Sequence, residues 1–139
     1  MRLEDNPFFA QLLSLDLPTE DYAVFGSGPL FVQGLREEIH DIDAIARGEA
    51  WKKIQLLGLA ESPQNGAGKV VRLFKDNIEF FNQWGPGIWN IDELIDTAKV
   101  VEGVRFVTLD NVLKWKKILH RPKDLVDIAK IEEYFKSIY

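Results

Sequence analysis

Residues 21–46 decide the fold class, and they read DYAVFGSGPLFVQGLREEIHDIDAIA. The stretch opens with a short run rich in aromatic and β-branched residues, 21–25, which predicts a strand. A tight turn at 26–29 follows, and apolar residues then recur at helical spacing as far as Leu35, which predicts a helix. Residues 41–46 have the composition of a second strand. The stretch therefore predicts a β-α-β unit.

The flanking segments continue this alternation of helices and strands. Residues 8–17 predict a short helix, and residues 49–57 predict a helix with Trp51, Ile54 and Leu57 facing inward. The further predicted elements are strands at 70–75 and 78–82 joined by a turn at Asp76-Asn77, a small hairpin at 100–109, helices at 91–99, 111–120 and 122–135, and loops at 61–68 and 85–87. We expect the whole chain, 1–139, to form one α/β or α+β domain, a mixed sheet flanked by helices with a helical C-terminus.

The composition excludes several classes of protein. The 139-residue chain is 46% hydrophobic and 28% charged, values typical of a globular domain rather than a disordered chain. Because it has no Cys and only two His, disulfides, zinc-thiolate sites and thiol nucleophiles are excluded, and any metal is expected to bind oxygen ligands. The net charge of −5 argues against a protein that coats nucleic acid by charge alone, while a local basic patch remains compatible with it.

The sequence has no pattern of a membrane span or a secretory leader. No apolar run approaches the roughly 20 residues that a membrane helix needs. Glu4 and Asp5 follow Arg2 after a single intervening residue, where a secretory leader would place its apolar core. We therefore expect a cytoplasmic protein with no membrane partner.

Two carboxylates on the second predicted strand form the centre of the candidate site. Side chains alternate between the faces of a strand, so Asp41 and Asp43 project from one face and Ile42 from the other. Two such carboxylates repel each other at neutral pH unless a cation lies between them, and Mg²⁺ is the simplest candidate. Glu79, which apolar residues flank on a later strand, can supply a third ligand, or it can simply face water.

The turn Gly26-Ser27-Gly28 joins the first strand to a helix that Ser27 is expected to cap. This geometry turns backbone N–H groups and the positive end of a helix dipole towards an anion, and phosphate is the natural occupant. In phosphoryl chemistry a pair of metal ions usually lies roughly 4 Å apart, so one or two Mg²⁺ ions are expected on the acidic strand. Together the two features predict nucleotidyl transfer.

These residues resemble the polymerase-beta-like nucleotidyltransferase superfamily. Its motif is Gly-Ser, a helix-length spacer and then Asp-x-Asp, which Gly26-Ser27 and Asp41-Ile42-Asp43 match. The runs 25–30, 34–36 and 40–43 are similar to the small bacterial and archaeal members, including relatives of abortive-infection proteins. A second resemblance, to the Lys, Arg-x-Lys-Asp-Leu and Asp-Ile pattern of the same relatives, is carried by Lys116, Arg121, Lys123-Asp124-Leu125 and Asp127-Ile128.

The resemblance implies a nucleotidyltransferase fold and a role for each matching residue. Gly26 and Ser27 would hold the nucleotide phosphates, and the catalytic, Mg²⁺-binding carboxylates would be Asp41, Asp43 and Glu79. Glu79 stands where many active members have Asp. The cations that would bind the triphosphate are Lys116, Arg121 and Lys123. The implied activity is Mg²⁺-dependent transfer of a nucleoside monophosphate from a nucleoside triphosphate to a hydroxyl of a small molecule, a protein or an RNA end.

Other interpretations of the same residues stay open. The chain can be a non-catalytic module that keeps the fold and binds a nucleotide or a partner, or one half of a toxin–antitoxin pair, and a homodimer that completes the cleft is a further expectation. The basic residues within 114–123 can form a solvated helix face, and Lys123-Asp124 and Asp127-Lys130 can be surface ion pairs. Trp84 and Trp89 flank a loop where a nucleobase can stack.

Overall fold

The computed structural model describes residues 2–64 and 67–139. The helices are α1 (Pro7–Ser14), α2 (Gly28–Val32), α3 (Gly48–Leu57), α4 (Ile91–Asp96), α5 (Leu109–Leu119) and α6 (Pro122–Ile138). The strands are β1 (Tyr22–Val24), β2 (Ile42–Ala46), β3 (Ala60–Glu61), β4 (Val70–Leu73), β5 (Ile78–Phe81), β6 (Lys99–Val101) and β7 (Val104–Phe106). Part of the predicted loop at 61–68, namely Asn65 and Gly66, lies outside the described residues.

Within that described part of the chain, seven strands form one mixed sheet in the order β3-β4-β5-β2-β1-β7-β6. β2 runs antiparallel to β1 but parallel to β5, and β1 runs parallel to β7. The other three pairs, β3 with β4, β4 with β5 and β6 with β7, are antiparallel. The sheet packs with helices and the chain ends in a long one, so the predicted mixed α/β class with a helical C-terminus is confirmed.

The two faces of the sheet pack against different helices. One face buries Ile42 and Ala44 against α1 and α3, with Phe9 and Ile54 in the same cluster. The other face buries Ile45 with apolar side chains of α4, α5 and α6. Because side chains alternate along β2, Asp43 lies on this second face. The candidate carboxylates therefore face the C-terminal helices.

Local backbone rules build the corner between α5 and α6. The side chain of Thr108 caps α5 by accepting a hydrogen bond from the Asn111 N–H. α5 ends at Leu119, and the next residue, His120, caps it in the left-handed conformation, with φ of 49°. Pro122 takes the first position of α6, where a missing N–H costs nothing. This corner brings the two helices into contact with each other.

Several predicted helices differ from the structure. α1 ends at Ser14 instead of residue 17, because Asp16 has a left-handed φ of 50°. α2 ends at Val32 instead of Leu35, because Gly34 has a φ of 80°.

Leu57 is 49% exposed, so the prediction that it faces inward is wrong. The buried residues of α3 are Ala50 and Ile54, and Leu57, in the last turn of the helix, does not continue this buried face. α4 ends at Asp96 instead of residue 99, because Lys99 already pairs in β6.

Two strand predictions also need correction. The strand predicted at 70–75 ends at Leu73, because Phe74, Lys75 and Asp76 have left-handed φ values of 55°, 54° and 69°. The turn into β5 is therefore longer than the two residues expected. β3 was not predicted, since two paired residues are too short for a periodic pattern.

Candidate functional site

The sheet brings three carboxylates together. Asp41 precedes β2, Asp43 lies in it, and Glu79 of β5 is the register neighbour of Asp43 across the parallel pair. One carboxylate oxygen from each residue lies within 4.8 Å of the others, and all three residues are partly buried. We call these three residues the acidic cluster. Its geometry follows from the strand periodicity that pairs Asp41 with Asp43, together with a parallel register that the sequence does not display.

Burial and the neighbouring negative charges raise the pKa of Asp43 within the acidic cluster. The pKa of Asp43 is raised to about 7, chiefly by burial of its carboxyl group and then by the negative charges of Asp41 and Glu79. Near neutral pH this carboxyl group is therefore divided between its protonated and charged forms. A bound cation reverses the balance, because it favours the charged form.

Arg72 is a site residue that the sequence reasoning missed. Its Nε donates to Oε2 of Glu79 at 2.9 Å, and its second guanidinium arm donates to Glu61 at 2.7 Å. Because β4 and β5 pair antiparallel, Arg72 lies directly opposite Glu79. Pairing the two predicted strands as a hairpin in the correct register would have identified Arg72 as the partner of Glu79. Glu79 therefore does not simply face water, although its Oε1 takes no part in this ion pair.

Gly26 lets the backbone approach the acidic cluster closely. Its φ is +60°, which favours glycine, and an added Cβ would lie 3.1 Å from Oδ2 of Asp43. The expected cap is wrong: Ser27 has helical dihedrals and its side chain makes no capping hydrogen bond. α2 has only five residues, so its dipole is weaker than the sequence reasoning assumed. Gly26 and Ser27 nevertheless line the same cleft as Asp43.

Lys116 lies buried on the opposite wall of this cleft. Its Nζ is 2.9 Å from Oδ2 of Asp127 and 3.6 Å from Oδ1 of Asp124, and the Lys116 side chain is 6% exposed. Arg36 also donates to Asp127, at 3.3 Å. The interpretation of Lys116 as part of a solvated helix face is therefore wrong. The same is true of Asp124 and Asp127 as surface ion pairs, because both are buried and paired with other cations.

Arg121 is also held in an ion pair. Its Nε donates to Oδ2 of Asp124 at 2.7 Å, and a second guanidinium nitrogen donates to Oδ1 at 3.0 Å. Burial raises the pKa of Asp124, but the side-chain and backbone hydrogen bonds from Arg121 outweigh it, so the net pKa is lowered. Lys123 is exposed and makes no ion pair within residues 2–64 and 67–139. Of the three predicted triphosphate cations, only Lys123 is thus without a carboxylate partner in that part of the chain.

One cleft of about 410 Å³ contains all the predicted site residues. Its volume falls in the range of small-molecule sites. The acidic cluster forms one wall. The other wall, which we call the basic wall, contains Lys116 and the charged residues around it: Arg36, Arg121, Asp124 and Asp127. A third wall is apolar and aromatic, formed by Phe81, Trp84, Pro86, Trp115 and Leu119.

The two tryptophans near the 85–87 loop have different environments. Trp84 is buried and stacks on Phe25 with ring centroids 4.2 Å apart, so it is part of the core and not an open stacking platform. Its Nε1 is buried and has no hydrogen-bond partner in the described chain. Trp89 is half-buried, and its Nε1 donates to the Pro86 carbonyl while Lys114 Nζ lies 4.7 Å from its ring centroid.

Comparison with protein-family models, with curated proteins and with solved structures found no match to this chain. Among the described helices, none has both the length and the apolar character needed to cross a membrane. Function is therefore inferred from the cleft alone.

Proposed function

We propose that this protein is a Mg²⁺-dependent nucleotidyltransferase of the polymerase-beta-like fold. It moves a nucleoside monophosphate from a nucleoside triphosphate to a hydroxyl acceptor. One observation carries the proposal: three carboxylates within 4.8 Å of one another face buried and partly buried cations across a single cleft. A metal-bound triphosphate has the matching charge distribution, with a cation at one end and phosphate oxygens at the other.

The acidic cluster has the donor chemistry of a Mg²⁺ site. Asp41, Asp43 and Glu79 offer only oxygen ligands, which Mg²⁺ prefers. Burial, and then the charges of Asp41 and Glu79, raise the pKa of Asp43, so a bound cation would offset the cost of charging this carboxyl group. Arg72 holds one oxygen of Glu79 and leaves the other outside that ion pair. A divalent cation bound there supplies charge neutralisation at the phosphates and activation of the attacking hydroxyl.

The opposite wall orients the phosphates. Arg36, Lys116 and Arg121 carry three positive charges against the two negative charges of Asp124 and Asp127. The wall therefore keeps a net positive charge although each carboxylate is paired. Because Lys116 is held by two carboxylates, its ammonium group is fixed in place, and little side-chain entropy remains to be lost when an anion binds. Lys123 adds an exposed positive charge at the edge of the cleft.

Calorimetric titration of the four common nucleoside triphosphates, with and without Mg²⁺, tests this assignment. We expect binding that depends on Mg²⁺ in the wild type and is lost in the Asp41→Asn/Asp43→Asn double variant. The matched control is Asp92→Asn/Asp96→Asn, which removes two exposed carboxylates of α4 that are not among the residues lining the cleft. Binding that survives in the cluster variant, or no binding by the wild type, contradicts the proposal.

The pairing of Lys116 and Arg121 favours one alternative. If these ion pairs persist when nucleotide is bound, the cleft binds nucleotides without transferring the nucleoside monophosphate. Incubation with nucleoside triphosphate labelled at the α-phosphate and with candidate acceptors distinguishes the two. Labelled acceptor supports the enzyme, whereas tight Mg²⁺-dependent binding without label on any acceptor supports the non-catalytic module.

A further inference from the structure

The segment that ends α5 and begins α6 is strongly basic. Residues 114–123 read KWKKILHRPK, with five Lys or Arg residues and no Asp or Glu. Since the whole chain has a net charge of −5, the remaining residues together carry −10. Such a separation of charge concentrates positive potential at one corner of an otherwise acidic protein.

This basic corner forms part of the rim of the cleft. Lys116, Arg121 and Lys123 line the cleft that holds the acidic cluster. Lys117 and His120, which belong to the same turns of the chain, are exposed on the outside. Positive charge therefore continues from the wall of the cleft onto the outer surface of the protein.

Some cations of this corner are paired with carboxylates of the protein and others are not. Lys116 and Arg121 are paired with buried carboxylates. Lys117 and Lys123, in contrast, are exposed and form no ion pair with any residue that the structure describes. These two side chains remain available to an external anion.

We propose that the basic corner binds the phosphate backbone of a single-stranded nucleic acid whose terminal hydroxyl is the acceptor. The assignment of the acceptor rests on the proposed function. A small-molecule acceptor needs no cations outside the cleft, whereas a strand whose end enters the cleft places its preceding phosphates over the rim.

The transfer step conserves atoms and charge. The oxygen of the terminal hydroxyl attacks the α-phosphorus of the nucleoside triphosphate and forms a new P–O bond. The bond from that phosphorus to the bridging oxygen breaks, pyrophosphate leaves, and the hydroxyl proton passes to solvent. The product is a strand that is one nucleotide longer.

At the start of the basic corner, Lys114 adjoins an aromatic and apolar surface. Lys114 Nζ lies over the half-buried Trp89 ring, and the neighbouring Ile88 is 96% exposed. Cations interleaved with aromatic and apolar groups are typical of surfaces that bind single strands, because bases stack on rings while phosphates contact the charges. Trp89 is connected to the cleft through Pro86, because its Nε1 donates to the carbonyl of Pro86, which lines the cleft.

Fluorescence anisotropy with a labelled 20-nucleotide single-stranded RNA tests the proposal, in chelator and without nucleotide. We expect the wild type to bind, and the Lys117→Ala/Lys123→Ala variant to lose about tenfold or more in affinity at roughly 50 mM salt, with a shallower salt dependence. The matched control is Lys130→Ala/Lys136→Ala, which removes the same charge from exposed positions further along α6. The control is expected to bind within about twofold of the wild type.

The outcomes separate this inference from the proposed function. Absence of RNA binding by the wild type, or equal losses in both double variants, overturns it even if Mg²⁺-dependent nucleotide binding is found. An oligo-glutamate peptide of equal charge that displaces the RNA at the same concentration also overturns it, since the corner would then recognise acidic protein segments. RNA binding that only the corner variant loses supports the corner as a binding surface for RNA even if the acidic cluster binds no metal, in which case only the assignment of the acceptor fails.

Discussion

Replacement of Asp43 by Asn is expected to stabilise the metal-free protein, and increasingly so as the pH rises. The pKa of Asp43 is raised from 3.8 to about 7 in the folded protein, and each pKa unit corresponds to about 1.4 kcal/mol. The full cost of charging this carboxyl group is therefore about 4 kcal/mol, and solvent in the open cleft reduces it to about 2–4 kcal/mol. Asn has nearly the same shape and carries no charge.

The sign of the pH dependence follows from linkage. Because the folded-state pKa is above the unfolded one, the stability that Asp43 contributes is fully present below pH 3.8 and is lost as the pH rises through about 7. The free energy of unfolding of the variant should therefore exceed that of the wild type by at most about 2 kcal/mol at pH 5 and at most about 4 kcal/mol at pH 8. We call this difference the stability gap.

Urea unfolding in the presence of a chelator measures this gap at several pH values. Asp96→Asn is the control, because the hydrogen bond from Arg47 lowers the pKa of this exposed carboxyl group, so its effect has the opposite sign. Added Mg²⁺ should stabilise the wild type and close the gap, since it binds only the charged cluster. A gap of zero at pH 8, or one independent of pH, would refute the account of the acidic cluster.

Three further variants test other parts of the structure by urea unfolding or metal titration. Arg47→Ala should destabilise the fold by about 1–3 kcal/mol, because its guanidinium joins the start of β1 to α4 through three carboxylates, and an unchanged unfolding midpoint would contradict this. Asp127→Ala should cost about 3–5 kcal/mol, because it leaves the buried Lys116 with one distant partner, and a cost below about 1 kcal/mol would show that Lys116 does not depend on this pair. Gly26→Ala should destabilise by about 1–2 kcal/mol and weaken Mg²⁺ binding, because its Cβ approaches Asp43 from a left-handed backbone; unchanged Mg²⁺ affinity would argue against that contact.

The β-α-β unit and the acidic pair were predictable because both depend on local periodicity. Alternation along one strand is sufficient to place Asp41 and Asp43 on a common face. The sequence did not determine whether Glu79 belongs to the acidic cluster, because only the parallel register of β2 and β5 brings it beside Asp43. Arg72 was missed for the same reason, because its partner is set by the antiparallel register of a hairpin.

The basic wall was less predictable, because its chemistry depends on how α5 and α6 pack. Lys116 reads as one of several lysines on an amphipathic helix, and nothing in its neighbours along the chain indicates that two carboxylates enclose it. Asp124 and Asp127 did carry a signal: they lie at helical spacing on the same stripe as Ile128 and Ile131, which are buried. Charged residues in an apolar stripe indicate buried ion pairs.

The most direct test of the central claim is a crystal structure with Mn²⁺ and a non-hydrolysable nucleoside triphosphate. Mn²⁺ replaces Mg²⁺ on oxygen ligands and can be located by its anomalous scattering. The account predicts a metal peak about 2 Å from carboxylate oxygens of Asp41 and Asp43, with the phosphates directed towards Lys116. A nucleotide bound elsewhere, or a cleft in which the acidic cluster holds no metal under these conditions, would contradict it.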